Sequence, residues 1–372
     1  MALYSVPGRV WVSYIFDWVI VIVFLAIAGA LNFVEPVKRD FSLTDRAISF
    51  PYRKDTISIP VLFIIAVAVP IVVIAVVSLL FVRFPINSTD PRSSSSLWRR
   101  KLWELHAGWL GLALATTLSL LLTQTMKNMF GKHRPDFLAR CNPDVANMGN
   151  FTVGGFTSEL LEGTSVLVDW QICISKNGSG VGYKEFIDGF RSFPSGHSTI
   201  AFAGLAYLSL YLATKLSTTI PGTASAFAGR SNARERAAAP PLYLLVIVLI
   251  PIAAAIYIVS TRYTDNKHAG FDILFGSAEG LVCAWFAIRW YHPPISIASG
   301  WAWAPRHKGT AFGVGMGVGS YADTSYAQKG RNGDADVEQG LEGRRSEALE
   351  LRGLQRANTA EGSYSSHQPL HP

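Results

Sequence analysis

Charge is scarce in this sequence. Asp, Glu, Lys and Arg make up 16% of its 372 residues and hydrophobic residues 49%, whereas charged residues run at roughly 25% in soluble domains. That deficit excludes an ordinary soluble domain and leaves a chain whose apolar residues need lipid around them. Cysteine is scarce too, with three residues and no closely spaced pair, which excludes a zinc site built from neighbouring thiolates. Cys283 falls inside an apolar run, whereas Cys141 and Cys173 share one long polar loop, where an oxidising compartment would allow them to pair.

What the chain does have is long runs without charge. The hydrocarbon core asks for roughly 20 apolar residues per helical crossing, because lipid offers no partner to an open backbone N–H or C=O. Residues 14–33, 59–82, 107–126 and 242–260 meet that length; 199–214 meets it if its helix starts near Ser195, and 273–288 does so with Glu279 inside it. Glu279 is expected to make a helix-to-helix hydrogen bond, to Gln124 or Ser119. The first run exceeds the roughly 7 to 15 residues of a signal-peptide core and no small-residue cleavage site follows, so a retained anchor is expected. The resulting expectation is an all-α bundle of six transmembrane helices over residues 1–292. A cytosolic tail follows at 293–372, rich in Gly, Ala, Ser and charge, with the composition of a disordered segment.

Three polar strings sit at the ends of the apolar runs: KNMFGKHRP from Lys127 to Pro135, PSGH from Pro194 to His197, and TRYTDNKHAGFD from Thr261 to Asp272. Parity places them on one face. Lys127 and Arg134 follow the third run, Ser195 opens the fourth, and the chain then crosses twice more before Thr261. The loop at 136–193 carries sequons at Asn150 and Asn177, which favours a lumenal or extracellular face for the site. Asn87 is a contrary sequon. Arg83, Arg92, Arg99, Arg100 and Lys101, with Lys215, Arg230, Arg234 and Arg236, fall in the loops assigned to the cytosol, although the first outer loop is basic as well.

The residue types in these strings suit an anion. Lys127 and Arg134 are seven positions apart, so a continuing helix would point both cations to one side. Ser195 reads as a helix cap with Gly196 and His197 in the first turn, where exposed N–H groups and the positive helix end attract phosphate. His268 and Asp272 are spaced i, i+4, so the carboxylate could hold one imidazole nitrogen and leave the other free to attack. Arg262 supplies a third cation. Each string alone also reads as a plain interfacial anchor or cap; their convergence on one face is what favours a phosphate site.

The three strings resemble the three-part signature of the type 2 phosphatidate phosphatase family, the lipid phosphate phosphatase and vanadium haloperoxidase superfamily. Lys127, Arg134 and Pro135 match its Lys-x6-Arg-Pro part, and Pro194 to His197 match Pro-Ser-Gly-His. Arg262, His268 and Asp272 match Ser-Arg-x5-His-x3-Asp, with Thr261 in place of serine. The segment from Phe41 to Tyr52 is similar to one in fungal and plant diacylglycerol pyrophosphate and phosphatidate phosphatases. The resemblance implies a membrane phosphatase that needs no magnesium or other cofactor and acts on phosphatidate, diacylglycerol pyrophosphate or lysophosphatidate. In it His268 would be the nucleophile, His197 the acid, and Asp272 the residue that orients His268. Lys127, Arg134, Arg262, Ser195 and Gly196 would hold the phosphate. The implied partners are the phosphorylated lipid and the bilayer, with no nucleic acid, and the implied location is an endomembrane (vacuole, Golgi or endoplasmic reticulum) or the plasma membrane. Two alternatives remain at this point: a lipid headgroup phosphotransferase on the same scaffold, and a non-enzymatic membrane interaction protein with a vestigial site.

Overall fold

A computed structural model describes residues 8–81, 94–155, 166–178, 182–216, 218, 241–293 and a few positions between 302 and 312. The Asn87 sequon, Arg83, Arg92, the arginines at 230, 234 and 236, and the tail from 313 onward lie outside the described residues.

Among the described residues, six long helices form the scaffold: α1 (Gly8–Leu31), α2 (Ile59–Phe81), α3 (Ser94–Phe130), α4 (Gly196–Lys215), α5 (Leu242–Thr264) and α6 (Gly270–Tyr291). All but α4 are long and apolar enough to cross a membrane. The reason α4 falls short is its position. It packs on α6, α5 and α3 and buries most of its length in protein, so Ser, Thr and Gly are tolerated where the outer helices need Val, Leu and Ile. The helix α3 is longer than its apolar run: Arg99, Arg100 and Lys101, expected in a loop, lie in its opening turns, where the Lys101 ammonium caps the Leu79 carbonyl at 2.6 Å.

Sequence decides how closely α2 approaches α4. Pro70 has no N–H, so the Ala66 carbonyl four residues earlier loses its helical donor, and the turn Ile64–Ala68 widens into a π-helix. That carbonyl points at Gly204 of α4, where an added Cβ would sit 1.8 Å from the oxygen. Only the absence of a side chain lets these backbones meet.

At one end of the bundle, the described residues of 132–193 (132–155, 166–178 and 182–193) and the first loop fold into a cap. Its core is Phe41, Ile48, Phe137, Phe186, Ile187 and Phe190 around a Cys141–Cys173 disulfide. The bridge spans 32 positions, a loop whose closure is worth about 3 to 4 kcal/mol through the unfolded chain. The short strands β1 (Thr152–Gly155) and β2 (Val166–Val168) pair antiparallel, and Phe41 exchanges backbone hydrogen bonds with Val168, so the first loop joins the cap. Phe50 N–H to the Pro135 carbonyl and Val37 N–H to the Asn128 carbonyl, both 2.9 Å, fasten that loop to the end of α3.

Gly204→Ala should lower the thermal midpoint of the protein in detergent, because overpacking against an immobile carbonyl costs about 1 to 3 kcal/mol or more. Helix melting followed by circular dichroism checks this; an unchanged midpoint would contradict the contact.

Candidate active site

The first string does not continue as a helix. Gly131 takes a left-handed φ of 56°, where a Cβ would lie 2.0 Å from the Val37 carbonyl oxygen, and α3 stops at Phe130. Lys127 and Arg134 therefore do not share a helical face, contrary to the expectation from their spacing. They converge because the chain turns back. Arg134 is fixed by Asp188, with Nε donating to the backbone carbonyl and Nη2 to Oδ1, both at 2.9 Å. Burial pushes the Asp188 carboxyl up, but the charges of Arg134, Arg140, Lys127 and Arg191 outweigh it and hold the group below its ordinary range. Lys127, by contrast, makes no hydrogen bond or ion pair with any described residue.

The second string caps α4 as expected. Ser195 is the N-cap, its Oγ accepting from Ser198 N–H at 3.4 Å and lying 2.9 Å from Ser198 Oγ. Gly196 leaves room for Lys127, whose Nζ would be 3.3 Å from an added Cβ. His197 follows, its Nε2 3.2 Å from the Ile57 carbonyl and 3.4 Å from Arg262 Nη1. Arg262 is buried and clamped: Nη1 donates to Asp55 at 3.0 Å and Nη2 to Asp265 at 2.8 Å, while Thr56 holds Asp265 through its N–H and hydroxyl.

His268 lies in the turn between α5 and α6, almost fully buried. Its Nδ1 is 2.7 Å from the Ser192 carbonyl. A carbonyl only accepts, so in the neutral ring Nδ1 carries the hydrogen and Nε2 keeps its lone pair. Burial is the main reason the imidazole sits well below its ordinary pKa; the fields of Arg134, Lys127 and His197 add to it, and the Ser192 bond opposes it. The expected direct contact from Asp272 to His268 is replaced by an indirect one. Asp272, fully buried, accepts from Lys132 Nζ and Ser192 Oγ, each at 2.6 Å, and from Ala269 N–H at 3.3 Å. As the third residue of α6 its carboxylate folds back on the helix start, so it steadies Ser192, and Ser192 in turn holds the ring.

The structure thus brings Lys127, Arg134, Ser195, Gly196, His197, Arg262, His268 and Asp272 together. Ser192, Lys132, Asp188, Asp55 and Asp265 were not found by sequence reasoning. Lys132 lay inside the first string, and its charge was the available signal. Asp265 lay inside the third string with the same signal, Asp188 ends a short cap helix (Tyr183–Asp188), and Ser192 and Asp55 sit in loops with no periodicity to mark them. Glu279 makes the expected interhelical bond, but to Thr123 at 3.1 Å rather than to Gln124 or Ser119. Among the described residues, no group of three or more His, Cys, Asp or Glu side chains could hold a metal ion. Chemically, a cluster of fixed cations around a neutral imidazole with a free lone pair can bind an oxyanion and attack it.

Comparison with known proteins bears on the family. A family model described as PAP2 superfamily matches residues 108–295. Among curated proteins, the chain is 29% identical over 281 residues to diacylglycerol pyrophosphate phosphatase 1 of Saccharomyces cerevisiae, covering 75% of this chain and 80% of the relative. It is 28% identical over 289 residues to lipid phosphate phosphatase 2 of Arabidopsis thaliana, covering 77% and 79%. It is 30% identical over 276 residues to a PA-phosphatase related-family protein of Dictyostelium discoideum, covering 73% and 68%. No solved structure matches the chain.

The His268 ring should remain uncharged at pH 6, with 15N resonances of a neutral Nδ1–H tautomer and a titration midpoint below 6.5. Because the unfolded imidazole binds a proton that the native ring refuses, its contribution to stability is present above about pH 6.5 and is lost as pH falls below it. A ring already charged at pH 6 would contradict the geometry.

Proposed function

This chain belongs to the PAP2 superfamily, and from that premise we propose that it is an integral-membrane lipid phosphate phosphatase. Its substrates in this reading are phosphomonoester or pyrophosphate headgroups of phosphatidate, diacylglycerol pyrophosphate or lysophosphatidate. The observation that carries the reading is a Lys127 ammonium, without a hydrogen bond or ion pair among the described residues, at the Gly196 start of α4, where His197 meets the clamped Arg262 and Ser192 holds the His268 ring with its Nε2 lone pair free.

Catalysis takes two displacements. Lys127, Arg134 and Arg262, with the Ser195 hydroxyl and the Gly196 N–H, bind the non-bridging oxygens. The Nε2 lone pair of His268 attacks phosphorus, the P–O bond to the leaving group breaks, and His197 gives that oxygen its proton. Water then attacks phosphorus from the vacated side and returns a proton to His197. The N–P bond breaks, inorganic phosphate leaves, and His268 recovers its lone pair. The Ser192 carbonyl keeps hydrogen on Nδ1 throughout, and Asp272 acts as a positioning residue through Ser192.

Two clamped arginines and the Lys127 ammonium can supply the charge stabilisation that a metal supplies elsewhere. A unit charge pair at about 4 Å is worth roughly 4 kcal/mol at an effective dielectric of about 20, before desolvation. The carboxylates behind Arg134 and Arg262, half-exposed Asp188 and Asp55 and buried Asp265, aim their planar forks rather than cancel them.

A lumenal or extracellular site is part of the same proposal. The Cys141–Cys173 disulfide lies in the cap over the site and suits an oxidising compartment, and Asn150 and Asn177 are exposed on that cap. In this reading the catalytic unit is residues 1–292, with 293–372 a cytosolic tail, in an endomembrane or the plasma membrane.

Purified protein should release free phosphate from phosphatidate in excess chelator, and His268→Ala should lower kcat by at least about 1,000-fold. A strict magnesium requirement, or a His268→Ala protein as active as the parent, would refute the proposal.

A further inference from the structure

We propose that the acyl chains of the substrate reach the site from the bilayer between the end of α3 and the start of α6, across a patch of Phe130, Phe193, Phe271 and Phe275; this rests on the phosphatase reading above. The four rings form one surface. Phe193 lies 4.9 Å from Phe130, 4.8 Å from Phe275, and 5.7 Å from Phe271, to which it is nearly parallel. Phe193 is buried at the centre, whereas Phe130 is 51% and Phe271 65% exposed.

The patch is continuous with the phosphate site in both sequence and space. Lys127 lies one turn before Phe130, Ser195 follows Phe193 and Pro194, and Asp272 follows Phe271. A lipid lying on these rings would therefore have its phosphate beside Lys127, Ser195 and His268. Lys132 stands at the threshold. Its Nζ is on Asp272, 6.0 Å from the Phe193 ring and 5.8 Å from the Phe271 ring, with 39% of its side chain exposed. A cation set among lipid-facing aromatics matches an amphiphile with an anionic head.

The other flanks are covered. Toward α5 the first loop lies over the site: Asp55 holds Arg262, the Ile57 carbonyl meets His197, and Arg53 Nη1 donates to the Thr264 carbonyl at 2.9 Å. Above, Asp188 and the cap close over Arg134. Those contacts are polar and cross between segments, so admitting two acyl chains there would break ion pairs. Between α3 and α6 the polar crossings are the Lys132–Asp272 pair and the Thr123 hydrogen bond to Glu279 at 3.1 Å, and the exposed rings of Phe130 and Phe271 offer an apolar surface on which an acyl chain can lie with both in place.

The test compares two esters in the full chain: long-chain phosphatidate in mixed micelles, and water-soluble para-nitrophenyl phosphate. For the Phe271→Ala, Phe275→Ala double variant, kcat/KM on the long-chain lipid should fall about 10-fold, chiefly through KM, while the soluble ester stays within about 2-fold. A control double variant, Ile256→Ala and Tyr257→Ala on the exposed face of α5, should match the parent on both. An unchanged lipid rate, an equal loss on both esters, or the same lipid-specific loss in the control would overturn the portal. A parent inactive on both esters would instead overturn the phosphatase reading, and the portal with it.

Discussion

Asp272 is the joint on which the site depends. Its side chain accepts from Lys132 of the first string, from Ser192 just ahead of the second, and from Ala269 at the head of its own helix, and its backbone carbonyl accepts from Ser195 N–H at 3.1 Å. Three segments separated by long stretches of sequence are thus fixed to one fully buried carboxylate. Burying a charge is costly unless it is paired and hydrogen-bonded, and here each side-chain oxygen has a donor. The arrangement converts a desolvation cost into positional accuracy: the Ser192 that Asp272 steadies is the residue whose carbonyl sets the His268 tautomer.

The same logic of paired burial extends outward. Arg140 and Lys267 share Asp136, and the Tyr52 ring lies 3.9 Å from Lys267 Nζ and 5.1 Å from the Arg140 guanidinium. Lys267 precedes His268, so the cap and the first loop are tied into the turn that presents the imidazole. The bundle below contributes differently. Its glycines and the Pro70 break in α2 let α4 sit deep in protein, so the first turn of α4 meets the cations of α3 without lipid intervening.

Much of this was legible in the sequence because the physics there is local. A helix that crosses lipid must be apolar for its whole length, so the runs at 14–33, 59–82 and 242–260 marked α1, α2 and α5. Cations and imidazoles at the ends of such runs marked the site, and parity placed them on one face. What was illegible depends on the chain's return path. Gly131 has a neighbour, Val37, that only tertiary packing supplies, so the break after Phe130 was read as a continuing helix. Ser192 intervenes between Asp272 and His268 for the same reason, since i, i+4 spacing says which side chains are near but not what lies between them. Asp55 comes from the first loop, Asp188 from the end of a short cap helix and Asp265 from within the third string, and such acidic residues look alike until the fold selects among them.

The central claim is that His268 carries the phosphoryl group in transit. It is tested most directly by mixing the protein with 32P-phosphatidate, quenching within the first turnover at alkaline pH, and mapping the label after proteolysis. The account predicts a phosphoprotein stable to base and labile to acid, with the label on the peptide containing His268. Label on another residue, or phosphate released with no labelled protein while chemistry limits the rate, would contradict it.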